Sequence, residues 1–413
     1  MPSKTQKTEL LAPAGNMEKL EIAIHYGADA VYLAGKDYSL RNFSGNFTIH
    51  EMEKAVDLAH KNNVNVYVAC NIFAKNSDIE QIGAFLDQVG EIGPDALIIS
   101  DPGILSTAFE ITPHIPVHLS TQANTTNYKS ADFWKSMGVK RINSARELSL
   151  EEIRQIVSRS EIEVEAFVHG AMCISYSGRC LLSSFMSQRD SNRGLCSHPC
   201  RWKYHVVEEL RPGQYMPIDE DKRGAYIFNS RDLCMIEHMP EIIETGITSL
   251  KIEGRMKSIS YLASTVKTYR EAIDSYFDDP VGYKTKKIWL KELSGINNRN
   301  YCTGFYFNDP EQEKTNISTS LNCSEKLFIG KGLKKIDDHK SVIEVRNKIF
   351  KGDTVEIMSK EQNARYDKIN DLIDNTGQSI PFAQPGSIAT VVFDNSCSRN
   401  DIIRKTKMNK ERL

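Results

Sequence analysis

The sequence predicts an α/β fold: a (β/α)8 barrel of the TIM type, followed by a small C-terminal all-β barrel domain. Short apolar segments alternate with amphipathic stretches from residue 9 to about 256, which is typical of parallel strands joined by helices. Eight such segments occur, which is the number of strands in this kind of barrel. After about residue 325 the pattern changes to short strands separated by Gly-Asp and Pro-Gly turns.

The eight predicted strands are short and apolar. They are Glu9–Pro13, Ala30–Ala34, Asn65–Cys70, Ala96–Ser100, Val117–Thr121, Arg141–Asn143, Glu163–His169 and Ser249–Glu253. The stretches between them carry apolar residues at helical spacing, as in Met17–Tyr26, Ile49–Asn62, Asp78–Ile92, Tyr128–Met137 and Leu150–Ser158. A doubly wound open sheet is the alternative, but no G-x-G-x-x-G follows the first strand.

The predicted domain organisation has three parts. Residues 1–279 form the barrel, with a cysteine-rich insert at 173–246 before the eighth strand. Residues 280–324 connect the barrel to the β-domain at 325–413, and the polar run Glu311–Asn322 is the expected linker. A chain of 413 residues is long enough for two or three domains with a large core in at least one of them.

Composition narrows the class of protein. The net charge is −2 with 26% charged residues, so any contact with RNA must come from local patches rather than from overall charge. The sequence contains neither an apolar run near eighteen residues nor a signal-peptide pattern. We therefore expect a cytoplasmic protein without a membrane partner.

Four cysteines follow the seventh predicted strand on one glycine-punctuated loop. Cys173, Cys180, Cys196 and Cys200 have the spacing C-x6-C-x15-C-x3-C. Thiolates are soft ligands, which favours zinc or an iron–sulfur cluster. Structural zinc sites usually carry paired C-x2-4-C motifs, and only the last two cysteines come close to that spacing, whereas cluster sites tolerate varied spacing. Buried inert cysteines are the third interpretation, and spacing alone leaves all three open.

Polar residues cluster at the predicted carboxyl ends of the strands, where active sites of such barrels lie. These residues are Arg41, Asn42, Asn71, Asp101, Thr121, Gln122, Asn124, Asn143, Arg146, Glu147, His169, Glu253 and Arg255. His169 is either a site residue or a core histidine. Glu253 and Arg255 are either site residues or a structural ion pair. The loop from Cys173 onward leaves the same rim, so we expect it to cover the barrel mouth.

Three ordered motifs carry a resemblance to a known family. The segment EAFVHGAMCISYSGRCLLS, residues 165–183, resembles the signature of peptidase family U32, the collagenase-like peptidases. The blocks Asn192–Tyr204 and Ser249–Ser258 agree with it, as do Glu9–Gly15 and Asp29–Tyr32. Within the family the sequence looks closest to the branch that hydroxylates tRNA.

The resemblance implies a function and a cofactor. That branch converts the wobble uridine of certain tRNAs to 5-hydroxyuridine, without molecular oxygen and in a prephenate-dependent way. Sister branches hydroxylate a 23S rRNA cytidine or the ring of a ubiquinone precursor. Several members hold a 4Fe-4S cluster on cysteines of this region, which implies Cys173, Cys180, Cys196 and Cys200 as ligands here. The expected partners are the tRNA anticodon loop and a small dicarboxylate co-substrate.

Candidate catalytic residues follow from these expectations. Prephenate is a dicarboxylate, and guanidinium groups bind carboxylates in bidentate fashion. The candidate receivers are Arg41, Arg146, Arg179 and Arg255, with Arg255 and Arg179 preferred. His169 or Glu253 would move the proton from carbon 5 of the base.

Two alternatives from other classes stay open. An iron-free thiol peptidase would have Cys173 and His169 as its only local nucleophile and base, since neither G-x-S-x-G nor H-E-x-x-H occurs. A non-catalytic RNA-binding or assembly factor would need no closed pocket. The segment Arg201–Tyr204 interleaves charge with aromatic rings, as an RNA-stacking surface does, but it could equally be a strand packed on a core.

Overall fold

The structure is a computed structural model. It describes residues 7–40, 45–172, 177, 180–199, 205–206, 216–217, 231–298, 301–307, 326–361 and 363–406. Residues 41–44 with Arg41, most of 173–179 with Cys173 and Arg179, and residues 200–204 with Cys200 lie outside the described residues.

The barrel prediction is confirmed. The first seven strands are β1 (Glu9–Pro13), β2 (Ala30–Ala34), β3 (Asn65–Cys70), β4 (Ala96–Ile99), β5 (Val117–Leu119), β6 (Arg141–Asn143) and β7 (Glu163–Ala171). The short strands β8 (His205–Val206), β9 (Met216–Pro217) and β10 (Asp232–Cys234) come next, and β11 (Ser249–Ile252) is the last barrel strand. Within the described residues eight parallel strands form a closed ring, because β11 pairs with both β1 and β7.

Strand ends differ from the prediction by one or two residues, for local reasons. β5 stops at Leu119 because Thr121–Ala123 forms a 3-10 turn. β7 runs two residues beyond His169 because β10 pairs antiparallel with its last residues. Gly170 permits this extension: its φ is +107°, and a Cβ there would lie 2.4 Å from the Glu253 carbonyl oxygen.

Helices form the outer layer. They are α1 (Met17–His25), α2 (Ile49–His60), α3 (Ile79–Ile92), α4 (Pro102–Ile111), α5 (Tyr128–Ser136), α6 (Leu150–Ser160), α7 (Leu182–Ser187), α8 (Met239–Glu244), α9 (Ile259–Asp278) and α10 (Lys287–Gly295). Side-chain caps fix several starts near the rim, for example Asn16, Thr48 and Ser149. Apart from α7, which lies in the loop between Cys180 and Cys196, the inward faces of these helices share one large apolar core with the outward faces of the strands. No helix among the described residues is long and apolar enough to cross a membrane.

A second, antiparallel sheet follows the barrel. After β12 (Tyr301–Cys302), which pairs with β10, its strands are β13 (Lys326–Lys335), β14 (Lys340–Val345), β15 (Ile349–Phe350), β16 (Thr354–Met358), β17 (Arg365–Lys368), β18 (Asp371–Ile373), β19 (Phe382–Ala383), β20 (Ile388–Val392) and β21 (Ile402–Thr406). Seven of these strands form a half-barrel in the order β17-β16-β21-β13-β14-β20-β18, around its own apolar core. The remaining two, β15 and β19, pair with each other. The predicted all-β domain is therefore confirmed as a fold, whereas its exact boundaries stay a prediction.

Buried charges join the half-barrel to the helical layer. Arg404 of β21 is fully buried and lies 2.5 Å from Glu292 of α10 and 2.9 Å from Glu356 of β16. The nearby cations lower the pKa of Glu292 to about 2, although burial alone would raise it. At the other side, Tyr26, which directly follows α1, donates to the Met358 carbonyl oxygen at 2.8 Å. These contacts set the half-barrel against α1, α9 and α10.

Candidate active site at the barrel mouth

Several predicted rim residues hold the loops in place. The Asn71 side chain donates to Ser120 Oγ at 3.3 Å and accepts from the backbone N–H of Leu40 at 3.1 Å. Asp101 caps α4 through the N–H groups of Gly103 and Ile104. These two predicted residues therefore organise the rim.

Below the mouth, a charged layer crosses the barrel interior. Lys251 of β11 lies 2.7 Å from Glu165 of β7, and the Asn143 amide donates to the same carboxylate at 2.9 Å. All three are almost fully buried, and the Lys251 ammonium lies 4.4 Å from the centre of the Tyr32 ring. The charges of this layer are thus paired with each other inside the barrel, below the mouth.

Sequence reasoning missed Glu165 and Lys251 as site residues, although a signal was present. In β7, Val164, Ala166 and Val168 alternate with Glu163, Glu165 and Phe167. Since the apolar set faces the helices, the charged set must point into the barrel. The same reasoning applies to Lys251, which alternates with Leu250 and Ile252.

Arg146 is the predicted arginine that lies clearly at the mouth. Its guanidinium stacks on the Phe167 ring at 3.9 Å and donates to the Ala171 carbonyl oxygen at 2.8 Å. The residue is half-buried, so part of it faces the opening. Arg255 is 3% exposed and donates to Ser39 Oγ at 3.3 Å, while its carbonyl oxygen accepts from Lys19 at 2.8 Å.

His169 lies in an aromatic enclosure. Its ring contacts Tyr261 and Tyr269 of α9 and Tyr301 of β12, and Nδ1 is 3.4 Å from the Tyr269 hydroxyl. Complete burial, with a smaller contribution from the positive charge of Lys257, lowers the pKa of His169 to about 3. The imidazole is therefore neutral near pH 7. This is the geometry of a core histidine, and a catalytic role for it stays a prediction.

Glu253 follows β11 directly and is half-buried. Its N–H donates to the His169 carbonyl oxygen at 2.8 Å, and its own carbonyl accepts from the Tyr261 hydroxyl at 2.9 Å. Burial raises the pKa of Tyr261, and the negative charge of Glu253 raises it further. Glu253 thus lies just past the end of β11, next to His169 of the adjacent strand β7.

The cysteine loop is fastened across the mouth by polar contacts. Glu147, after β6, accepts from the backbone N–H of Ser177 at 3.0 Å. On the β3 side, Arg193 lies 2.7 Å from Asp78, and the Phe73 N–H donates to the Asn192 carbonyl oxygen at 3.2 Å. Hydrogen bonding to Arg193 is the main cause that lowers the pKa of Asp78 to about 2. The loop therefore reaches from the end of β7 to the rim near β3, as expected of a cover.

Two of the four predicted ligands can be placed. Cys180 and Cys196 are half-buried cysteines in this loop that form no disulfide, and the Cys196 sulfur accepts from the His198 N–H at 3.4 Å. Hydrogen bonds to sulfur are one means by which proteins tune iron–sulfur clusters, so this donor set fits such a group. In the part of the chain that the structure describes, no group of three or more His, Cys, Asp or Glu could hold a metal ion. The ligand set stays a prediction, because Cys173 and Cys200 lie outside that part.

Other cysteines differ in their surroundings. Cys70 and Cys397 are fully buried, and burial raises the pKa of each thiol to about 12. Cys234 of β10 is the register partner of His169, and its sulfur lies 3.8 Å from the Tyr269 hydroxyl. Burial raises the pKa of Cys234 to about 11. Besides the four predicted ligands, Cys234 is thus a further thiol that lies next to β7, the strand that leads into the cysteine loop.

Comparison with known proteins shows the family to which the sequence is related. The profile described as peptidase family U32 matches residues 15–316, and that of the U32 C-terminal domain matches 324–404. The chain is 40% identical to tRNA hydroxylation protein P1 of Bacillus subtilis, over 98% of this chain and 96% of that protein. It is 36% identical to tRNA hydroxylation protein P of Escherichia coli, over 93% of each chain. A collagenase of Porphyromonas gingivalis is 30% identical over 79% of this chain and 80% of its own.

Proposed function

This chain belongs to peptidase family U32, and from that premise we propose that it is a tRNA-modifying enzyme that hydroxylates carbon 5 of wobble uridine without molecular oxygen. Prephenate or a derivative is the proposed co-substrate, and a 4Fe-4S cluster is the proposed cofactor. The observation that carries the proposal is the likeness, along almost the whole chain, to relatives named for tRNA hydroxylation.

The mouth suits a single base. An anticodon loop already presents its bases unstacked, so little energy is needed to bring one into a concave site. The Asn143 amide oxygen is buried and has no hydrogen-bond partner among the described residues, so it can accept from a base N–H.

Cys173, Cys180, Cys196 and Cys200 would hold the cluster, which supplies one-electron redox chemistry when bound. The contacts of Glu147 and Arg193 keep this loop on the rim, beside the opening that receives the base.

Arginines at the rim would bind the carboxylates of the co-substrate. Arg255 and Arg179 are the proposed receivers, and the half-exposed Arg146 on the Phe167 ring is a third. For the proton on carbon 5, Glu253 is the better acceptor. The enclosed His169, with a pKa of about 3, resists protonation.

Nucleosides from a deletion strain test the proposal. Loss of 5-hydroxyuridine and its derivatives, restored by the wild-type gene, is the expected result on mass spectrometry. An unchanged nucleoside profile, in a strain without a second hydroxylase, would refute the tRNA assignment. If the deletion strain instead lacks a modified 23S rRNA cytidine or lacks ubiquinone, the substrate is the rRNA or the ubiquinone precursor rather than tRNA.

The collagenase-type alternative has its own test, motivated by the relative of that name. A thiol peptidase needs a base within reach of its nucleophile. The base predicted for Cys173 is His169, whose ring is enclosed by three tyrosines. The other thiol–imidazole pair in this loop, Cys196 and His198, has its sulfur and Nδ1 4.0 Å apart. We therefore expect no cleavage of gelatin by the metal-free protein.

A further inference from the structure

The half-barrel carries a small exposed aromatic surface, which we call the Phe350–Phe382 platform. These phenylalanines are cross-strand partners on β15 and β19, with ring centres 6.1 Å apart. Their exposed fractions are 43% and 38%. Adjacent exposed apolar side chains are often part of a surface that binds a ligand or another macromolecule.

A lysine with no acidic partner lies over the same rings. The Lys348 ammonium is 4.1 Å from the centre of Phe382 and 5.0 Å from that of Phe350. No carboxylate of the described residues lies within ion-pair distance of it. Lys405 also approaches Phe350, at 6.0 Å, but its ammonium is 3.0 Å from Asp353 and is largely neutralised there. Lys348 therefore supplies a positive charge that remains open to an anion.

The platform lies in sequence beside a contact with the catalytic face of the barrel. Arg346 and Lys331 both bind Glu18, which is in the first turn of α1. Helices of such a barrel begin at the face where the strands end, so Glu18 marks that face. Phe350 follows Arg346 by four residues, a reach of at most about 14 Å in an extended chain. The platform therefore lies within about 14 Å, along the chain, of a residue that contacts that face.

We infer that the Phe350–Phe382 platform binds an unpaired segment of the tRNA substrate, with bases stacked on the rings and a phosphate on Lys348. The inference rests on the proposed function, and it assigns part of the tRNA-binding surface to the half-barrel. Stacking on exposed aromatic rings with a flanking cation is how proteins bind single-stranded nucleic acid without reading its sequence. It also fits a chain of net charge −2, in which RNA affinity must come from local surfaces.

The test measures binding of an unmodified transcript of a tRNA with wobble uridine to the full-length protein by fluorescence anisotropy. Phe350→Ala with Phe382→Ala should weaken binding by about ten-fold or more. Phe350→Trp with Phe382→Trp should retain the affinity, because the rings are kept.

Tyr366→Ala is the matched control, since Tyr366 is 64% exposed on the same half-barrel, and it should leave the affinity for the transcript unchanged. Lys348→Gln should lower the slope of log Kd against log salt by about 0.7 to 0.9, the contribution of one phosphate contact.

The outcomes separate the inference from the function on which it rests. An alanine pair that binds the transcript as well as wild type does, while wild type modifies tRNA, overturns the platform and leaves the function standing. The platform is also overturned if the alanine pair changes only self-association in sedimentation, since the rings would then be a protein contact. If wild type neither binds nor modifies tRNA, both fall together.

Discussion

Charged residues inside the barrel are arranged by height along its axis. Arg141 lies 2.7 Å from Glu9 and 2.8 Å from Glu163, and all three are the first residues of their strands. This layer closes the N-terminal end, where barrel residues serve stability. Lys251 and Glu165 lie two residues further along their strands, towards the mouth. The Lys251–Glu165 pair, which we call the upper pair, therefore lies between the layer that stabilises the barrel and the residues at its mouth.

Breaking the upper pair should be costly. Lys251→Met leaves Glu165 buried with only the Arg141 guanidinium, 3.9 Å away, as a cation, and we expect a loss of about 3 kcal/mol in the free energy of unfolding. Adding Glu165→Leu should recover part of that loss, because the buried carboxylate that has lost Lys251 is then removed. Urea unfolding measures both, and Arg154→Met, at an exposed pair with Glu151, serves as control with a cost of about 0.5 kcal/mol or less. Additive costs for the two buried changes would contradict the coupling.

His169 makes stability depend on pH. The folded protein keeps it neutral down to about pH 3, whereas the unfolded chain protonates it near 6.5. The unfolded state therefore binds more protons in that window, so the free energy of unfolding falls as pH drops from about 6.5 towards 3. His169→Phe should make this fall shallower, by at most about 1.4 kcal/mol per pH unit. Parallel curves for variant and wild type would show that His169 is not held neutral.

At the scale of elements, the strands were predicted closely and the cysteine loop was predicted only in part. Periodicity located β1, β2, β3 and β6 to the residue, because each is a buried parallel strand next to a helix. It could not show the pairing of β10 with β7, which depends on contacts between residues distant in sequence. It likewise placed His169 at the end of a strand but could not show the tyrosines of α9 and β12 that enclose it.

The cysteine loop is the element on which the cofactor proposal depends. Cys180→Ala or Cys196→Ala should sharply lower the bound iron and sulfide of anaerobically purified protein, whereas Cys70→Ala and Cys397→Ala should not, since those thiols are buried elsewhere. Cys234→Ala tests the ligand set, because this thiol lies beside β7. Loss of iron with Cys234→Ala but not with Cys200→Ala would mean that the fourth ligand is misassigned.

At the scale of the whole molecule, the half-barrel has an apolar core of its own, while Met358 and Ile402 from its strands pack into the apolar core of the barrel. A charged seam at Arg404, Glu292 and Lys326 joins the same two units. The change of strand pattern in the sequence showed that two units exist. It could not show the seam, because its charges come from distant segments that carry no common motif.

The domain division can be tested by limited proteolysis. We expect the first cut within Glu311–Asn322, the polar run predicted as linker. Mass spectrometry of the fragments locates the cut. A first cut between residues 100 and 250 would contradict the division.

The central claim is that this chain hydroxylates the wobble uridine, and oligonucleotide mapping of tRNA tests it most directly. A deletion strain receives the wild-type gene, an empty vector or the Cys180→Ala variant, and its tRNAs are digested and analysed by mass spectrometry. We predict one additional oxygen on the anticodon fragment, at the wobble uridine, with the wild-type gene alone. Equal oxygen content in all three strains would contradict the claim.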